Sequence, residues 1–198
     1  MGTSIERLLA QAFVAREPVP NRNSRVSLIR TEDLADDTLI RARIGEQGMT
    51  ILLYRVDFNK TMRAAWSAVG NADGRGYLAL DLHYLLTPWA DNAEHQHMIL
   101  GRGMQALEQT PVLSGPTLFE TSLPQPAYAG EPQSAASDAV QLMLEEISTE
   151  ALMRTFDSLP SDYRLSVPYV ARVVRIDTAE SVPTPPVVDA DTELRVDS

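Results

Sequence analysis

Tyr77-Leu78-Ala79-Leu80-Asp81-Leu82-His83-Tyr84-Leu85-Leu86-Thr87 sets the architecture of this 198-residue chain. Leu78, Leu80, Leu82, Tyr84 and Leu86 alternate as one unbroken apolar face. The opposite face reads Tyr77, Ala79, Asp81, His83 and Leu85, apolar enough to be covered too. A strand covered on both sides is central in its sheet. Upstream, Met49–Phe58 is a second strand. Its Leu52, Tyr54, Val56 and Phe58 share a face, and Ile51 and Leu53 lead the other before Arg55 and Asp57 turn it polar. Asn59–Gly76 connects the two and ends in the turn-rich Asn71-Ala72-Asp73-Gly74-Arg75-Gly76.

Helical periodicity brackets these strands. Ile5, Leu8, Leu9, Ala12 and Phe13 recur at i, i+3, i+4, i+7 and i+8, behind a capping box of Thr3 and Glu6, and Pro18 and Pro20 close that helix near Arg16. Val26–Ile29 reads as a short strand and Thr31–Asp37 as a loop. Ile40, Ala42 and Ile44 alternate with Arg41 and Arg43, which predicts a half-buried strand turning at Gly45–Gly48. After the central strand, Asp91 and Glu94 signal an N-cap and a helix from about Asn92 to Gln109, with Ile99, Leu100, Gly103, Ala106 and Leu107 buried. Gly101 and Gly103 each cost such a helix about 1 kcal/mol relative to alanine, which close approach to the sheet would offset.

The remainder is less regular. Pro111–Ser137 reads as an irregular surface stretch. Ala139–Ile147 is a strand with Val140, Leu142 and Leu144 inward. Ser148 or Thr149 caps a helix over Glu150–Leu159, ended by Pro160. Leu165–Ile176 is a last strand, in which Pro168 cannot donate to a ladder and so marks an edge or a bulge. The sum is one α+β domain over residues 1–177, a central mixed or antiparallel sheet of about four to six strands with three flanking helices. An acidic, proline-rich extended tail, 178–198, completes the chain.

Composition narrows the function. No run of 18 uncharged apolar residues exists, so a membrane-spanning helix is not expected. Glu6 and Arg7 interrupt any secretory h-region. The absence of cysteine removes thiolate zinc sites and cysteine nucleophiles, and the cytoplasm is the default compartment. Residues 1–75 hold 11 basic against 9 acidic side chains, a balance of +2; residues 76–198 hold 6 against 18, a balance of −12. An acidic chain is a poor general nucleic-acid binder. Arg22, Arg25, Arg41 and Arg43 form its one concentrated basic stretch and are candidate interface residues. In the tail, Val187 and Val188 are candidate anchors of an extended arm, the other reading being a disordered tail.

Catalytic chemistry is thin. His95 and His97 point about 200° apart on a helix and cannot chelate one metal together. Asp81 and His83 share a strand face about 6.6 Å apart, close enough to couple. They read either as an acid/base dyad or as a structural or interfacial polar pair. No nucleophile motif or phosphate loop accompanies them, and Gly101-Arg102-Gly103 lacks the third glycine of a dinucleotide fingerprint. No cofactor, metal site or enzymatic activity is expected.

Four ordered stretches carry a family resemblance. Leu78–Ala90, with its Leu-Asp-Leu-His-Tyr-Leu-Leu-Thr-Pro-Trp core, resembles the signature strand of the cap, or tail-terminator, proteins of contractile injection systems of the antifeeding-prophage and virulence-cassette type. Leu53–Asn59 resembles that family's tyrosine-containing strand ending in asparagine. Leu100–Leu107 with Pro111-Val112-Leu113 resembles its helix and the turn after it, and Tyr163–Tyr169 with Arg172–Ile176 its closing strand. Ala64 departs from the asparagine often found after the arginine matching Arg63. The resemblance implies a tail-terminator-like fold and structural work: a ring, six-fold in expectation, that ends the inner tube and engages the last sheath layer. The implied partners are further copies of the chain, the sheath protein and the inner-tube protein, in a cytoplasmically assembled particle that could later be released. An exposed strand edge could receive an arm by β-augmentation. Asp81 and His83 then become structural or interfacial. Another tube or baseplate adaptor, or an enzyme with an unrecognised site, stays as the alternative.

Overall fold

The structure, a computed structural model, describes residues 1–65, 77–118 and 139–177. Within them lie six strands: β1 (Arg25–Ile29), β2 (Gly48–Phe58), β3 (Tyr77–Trp89), β4 (Val112–Ser114), β5 (Ala139–Leu144) and β6 (Val167–Asp177). They form one sheet in the order β1-β2-β3-β6-β5-β4. β1 runs parallel to β2 and every other neighbouring pair is antiparallel, so the sheet is mixed. β3 pairs on both sides and is buried along most of its length, the central strand its sequence predicts.

Two apolar clusters cover the two faces. On one, α1 (Gly2–Ala15) and α4 (Ala93–Gln109) pack Ile5, Leu9, Phe13, Ile99 and Leu107 against Met49, Ile51, Tyr84 and Leu86. On the other, α2 (Asp37–Ile44) and α5 (Thr149–Asp157) pack Ile40, Ile44 and Phe156 against Leu52, Leu85 and Trp89. Trp89 is a core anchor: its indole N–H donates to Thr50 Oγ1 at 2.9 Å, and the Arg164 guanidinium lies 4.1 Å from its ring centroid. The α4 stripe is the one expected. At Gly103 an added Cβ would fall 2.6 Å from Met49 Cε, so this glycine lets the helix settle on β2; Gly101 faces open space and has no such reason.

Several local expectations are corrected. Residues 37–44 are a helix, not a strand. Asp36 accepts the Thr38 N–H at 2.8 Å as N-cap, Ile40 and Ile44 bury one helical face, and Gly45 ends the helix at φ +80°. Thr31–Ala35, expected as loop, is a 3-10 turn, and Lys60–Ala65, left without an assignment inside the Asn59–Gly76 connection, is α3. The described helices therefore number five, not three. Met1, not Thr3, precedes α1, because Glu6 is drawn away to accept the Leu28 N–H at 3.0 Å. Asn92 rather than Asp91 caps α4, accepting the His95 N–H at 2.8 Å. Val112–Ser114, placed in the irregular stretch, pairs with β5, and Leu144 is 52% exposed where the chain leaves the sheet.

Pro168 sits inside the sheet. It lies near the start of β6, opposite Leu85 of β3, and its carbonyl accepts the Glu145 N–H at 2.9 Å. The missing donor therefore costs the ladder little at this position. The tail residues Val187 and Val188 and the turn Asn71–Gly76 lie outside the described residues, as does most of Pro111–Ser137.

Candidate functional site

The face that is apolar beneath α2 and α5 changes character further along the strands. The β2–β3 register shifts between Leu53 and Arg55, and an extra residue there re-aims the side chains beyond it. Arg55 now stands opposite His83, and Asp57 opposite Asp81. Tyr54, Arg55, Asp57, His83 and Glu145 close into one network. His83 Nδ1 lies 2.9 Å from Glu145 Oε2 and Nε2 lies 3.2 Å from Asp57 Oδ2. Arg55 Nη2 donates to Glu145 Oε1 at 2.8 Å and sits 3.0 and 3.2 Å from the two His83 nitrogens, while its Nε donates to Asp57 at 3.0 Å. The Tyr54 hydroxyl donates to Glu145 Oε2 at 2.8 Å.

Glu145 is the hub. Its side chain is 11% exposed. That burial raises its pKa, but hydrogen bonds from His83 and Tyr54 and the charges of His83 and Arg55 outweigh it and hold the carboxyl below its ordinary range. Burial and the same carboxylate push the Tyr54 phenol well above its usual value. A second, adjacent pair of contacts fixes Asp81: Arg172 donates from Nε and Nη2, both at 2.9 Å, and Asn59 Nδ2 donates at 2.9 Å. Asn59, Lys60, Thr61, Met62, Asp81, Arg172 and Val173 line an open cavity of about 480 Å³.

Asp81 and His83 are both buried, but they do not partner each other. Each belongs to its own set of contacts, so the dyad geometry does not form. Every carboxylate in the two sets faces a guanidinium, an imidazole, an amide or a phenol. The arrangement braces β2, β3, β6 and the end of β5; among the described residues no group of three potential metal ligands assembles. Sequence reasoning missed Arg55, Asp57, Glu145, Arg172, Tyr54 and Asn59 as partners. All but Glu145 fall within the strand stretches that carry the resemblance.

The basic candidates separate. Arg41 pairs with Asp91 at 3.1 Å and Arg43 with the buried Asp33 at 3.3 Å. Arg22 and Arg25 are exposed beside the β1 edge. Each edge of the sheet carries a blocked donor, since Glu6 takes the Leu28 N–H on β1 and Thr117 Oγ1 takes the Ser114 N–H on β4 at 2.7 Å.

This fold is shared with proteins that terminate tubes and sheaths. The chain aligns over 100% of its length with the cryo-EM structure of the PVC sheath/tube terminator, in extended state, of an extracellular contractile injection system (TM-score 0.53, 15% identity). Over 95% of its length it aligns with the cryo-EM structure of the anti-feeding prophage cap, the AFP tube terminating cap (TM-score 0.55, 19% identity). It spans 64% and 57% of those two chains, less than two thirds of either. The family model of the Pvc16 N-terminal domain matches residues 1–190, and the chain belongs to that family. No curated protein matches it.

Proposed function

We propose that this chain is a structural cap of a contractile injection system: a ring, of six copies, that ends the inner tube and engages the last sheath layer. The observation that carries this reading is the sharing of the whole described fold, β1 through β6, with a sheath/tube terminator and a tube-terminating cap. Membership of the Pvc16 N-terminal domain family supports it. The role is non-enzymatic. The buried polar groups nearest to a catalytic constellation are consumed by one another, which suits a brace and supplies no unpaired acid or base.

Ring closure limits growth. A head-to-tail interface that closes on itself leaves no further site around the circumference. At −10 per chain, six copies carry about −60, so repulsion must be offset by local pairing. All four arginines of the basic stretch are exposed, but Arg41 and Arg43 already pair with acids of their own chain, so Arg22 and Arg25 are the ones proposed to meet an acidic surface of a neighbour or of the sheath. Because both sheet edges are partly closed, side chains carry the sheath contact more than strand addition does. Deleting the gene tests the role. Tubes or sheaths of uncontrolled or unstable length are expected; particles of normal, uniform length contradict it.

A further inference from the structure

His83 is only 4% exposed, yet both nitrogens of its ring face a carboxylate oxygen. Nδ1 lies 2.9 Å from Glu145 Oε2, and Nε2 lies 3.2 Å from Asp57 Oδ2. Both carboxylates are acceptors already, Glu145 from Tyr54 and Arg55 and Asp57 from Arg55 Nε. A neutral imidazole carries one N–H and one lone pair, so it satisfies one of these contacts and turns a lone pair on the other. Only the imidazolium donates to both.

Arg55 does not relieve that conflict from where it stands. Its Nη2 is 3.0 Å from Nδ1 and 3.2 Å from Nε2. In the ring plane, an atom so close to both nitrogens would overlap the carbon between them, so Nη2 lies over the ring face. From there it cannot donate to an in-plane lone pair. Among the described residues, the charged and titratable groups facing His83 are Tyr54, Arg55 and Asp57 from β2 and Glu145 at the end of β5. The next pair along β3 and β6, Asp81 with Arg172, is closed on itself and on Asn59.

We propose that His83 is a proton-operated latch in this brace: as the imidazolium it clamps Asp57 and Glu145 together, and on losing the Nε2 proton to water it keeps Glu145 and releases Asp57. Three observations choose the side that opens. The Asp57 contact is the longer of the two. Asp57 is 50% exposed and regains water when it turns away, whereas Glu145 is 11% exposed. Glu145 is also held through its backbone, its N–H donating to the Pro168 carbonyl at 2.9 Å. The closed state binds one proton more than the open one, so acid favours closure and rising pH opens it. Closed, the charges of Arg55, His83, Asp57 and Glu145 sum to zero; open, one negative charge remains, on the exposed side of the cluster. The latch belongs to the subunit itself and stands whether or not the chain caps a particle.

Imidazole nitrogen NMR of the full chain, labelled at its three histidines, tests this. H95Q and H97Q assign the other two rings. Between about pH 5 and about pH 8, where histidines ordinarily change charge, His83 should pass from a ring protonated on both nitrogens to one protonated on Nδ1 alone. His95 supplies the opposite tautomer as an internal reference, because its Nδ1 faces the Asn92 amide at 3.2 Å and is the acceptor when neutral. D57N, at a half-exposed position outside the core, should weaken proton binding at His83 several-fold and leave His95 unchanged. A neutral His83 protonated on Nε2, a ring that keeps one protonation state across the whole range, or D57N binding the proton as tightly as wild type would each overturn the proposal.

Discussion

Glu145 joins Tyr54, Arg55 and His83 from two other strands, and its ionised form is what they favour. E145Q should therefore cost about 1.5–3 kcal/mol at neutral pH, the range for hydrogen bonds to a charged group, read as a shift in urea midpoint. The pH dependence has a definite sign. The folded pKa is depressed, so the contribution is present above the ordinary glutamate value of about 4.3 and disappears as pH falls through the folded value. The gap between wild type and E145Q should close below that pH; a gap independent of pH would remove ionised Glu145 from the account. Asp81 and His83 were legible as polar residues on a covered strand. Arg55 and Asp57 were visible as the point where the β2 face turns polar. Glu145 was not, because it lies 90 residues from Arg55 and only the strand order brings β5 near.

At the scale of elements, the strands read well and the short helices did not. Met49–Phe58 and Tyr77–Thr87 are long enough for period two to declare itself. Ile40, Ala42 and Ile44 fit a strand, yet Ile40 and Ile44 also stand at i, i+4, and over eight residues the two periods are nearly degenerate. The capping Asp36 and Gly45 tip the balance toward α2. On a helix Arg41 and Arg43 point about 200° apart, so they lose a common face and each finds an acid of its own chain. The clean interface test moves to R22E with R25E. That variant should unfold within about 0.5 kcal/mol of wild type while assembling less and with flatter salt dependence; full assembly with unchanged salt dependence would make both residues ordinary solvated surface. The two glycines of α4 also diverge. G101A should stabilise by up to about 1 kcal/mol, whereas G103A should lose that gain against Met49, as paired thermal melts would show.

At the scale of the molecule, a central strand with two covered faces was enough to anticipate an α+β domain. The parallel pairing of β1 with β2 and the placement of β6 between β3 and β5 were not, since neither follows from periodicity. Pro168 even argued against an internal β6, and only its position near the strand start reconciles the two. The fold shared with tube and sheath terminators and membership of the Pvc16 N-terminal domain family are what the cap proposed above rests on. The most direct measurement is cryo-EM of purified sheathed particles carrying an epitope on this chain. The account predicts six copies forming a closed ring at the end distal to the baseplate and nowhere else. Label along the sheath, at the baseplate end, or absent from intact particles would contradict it.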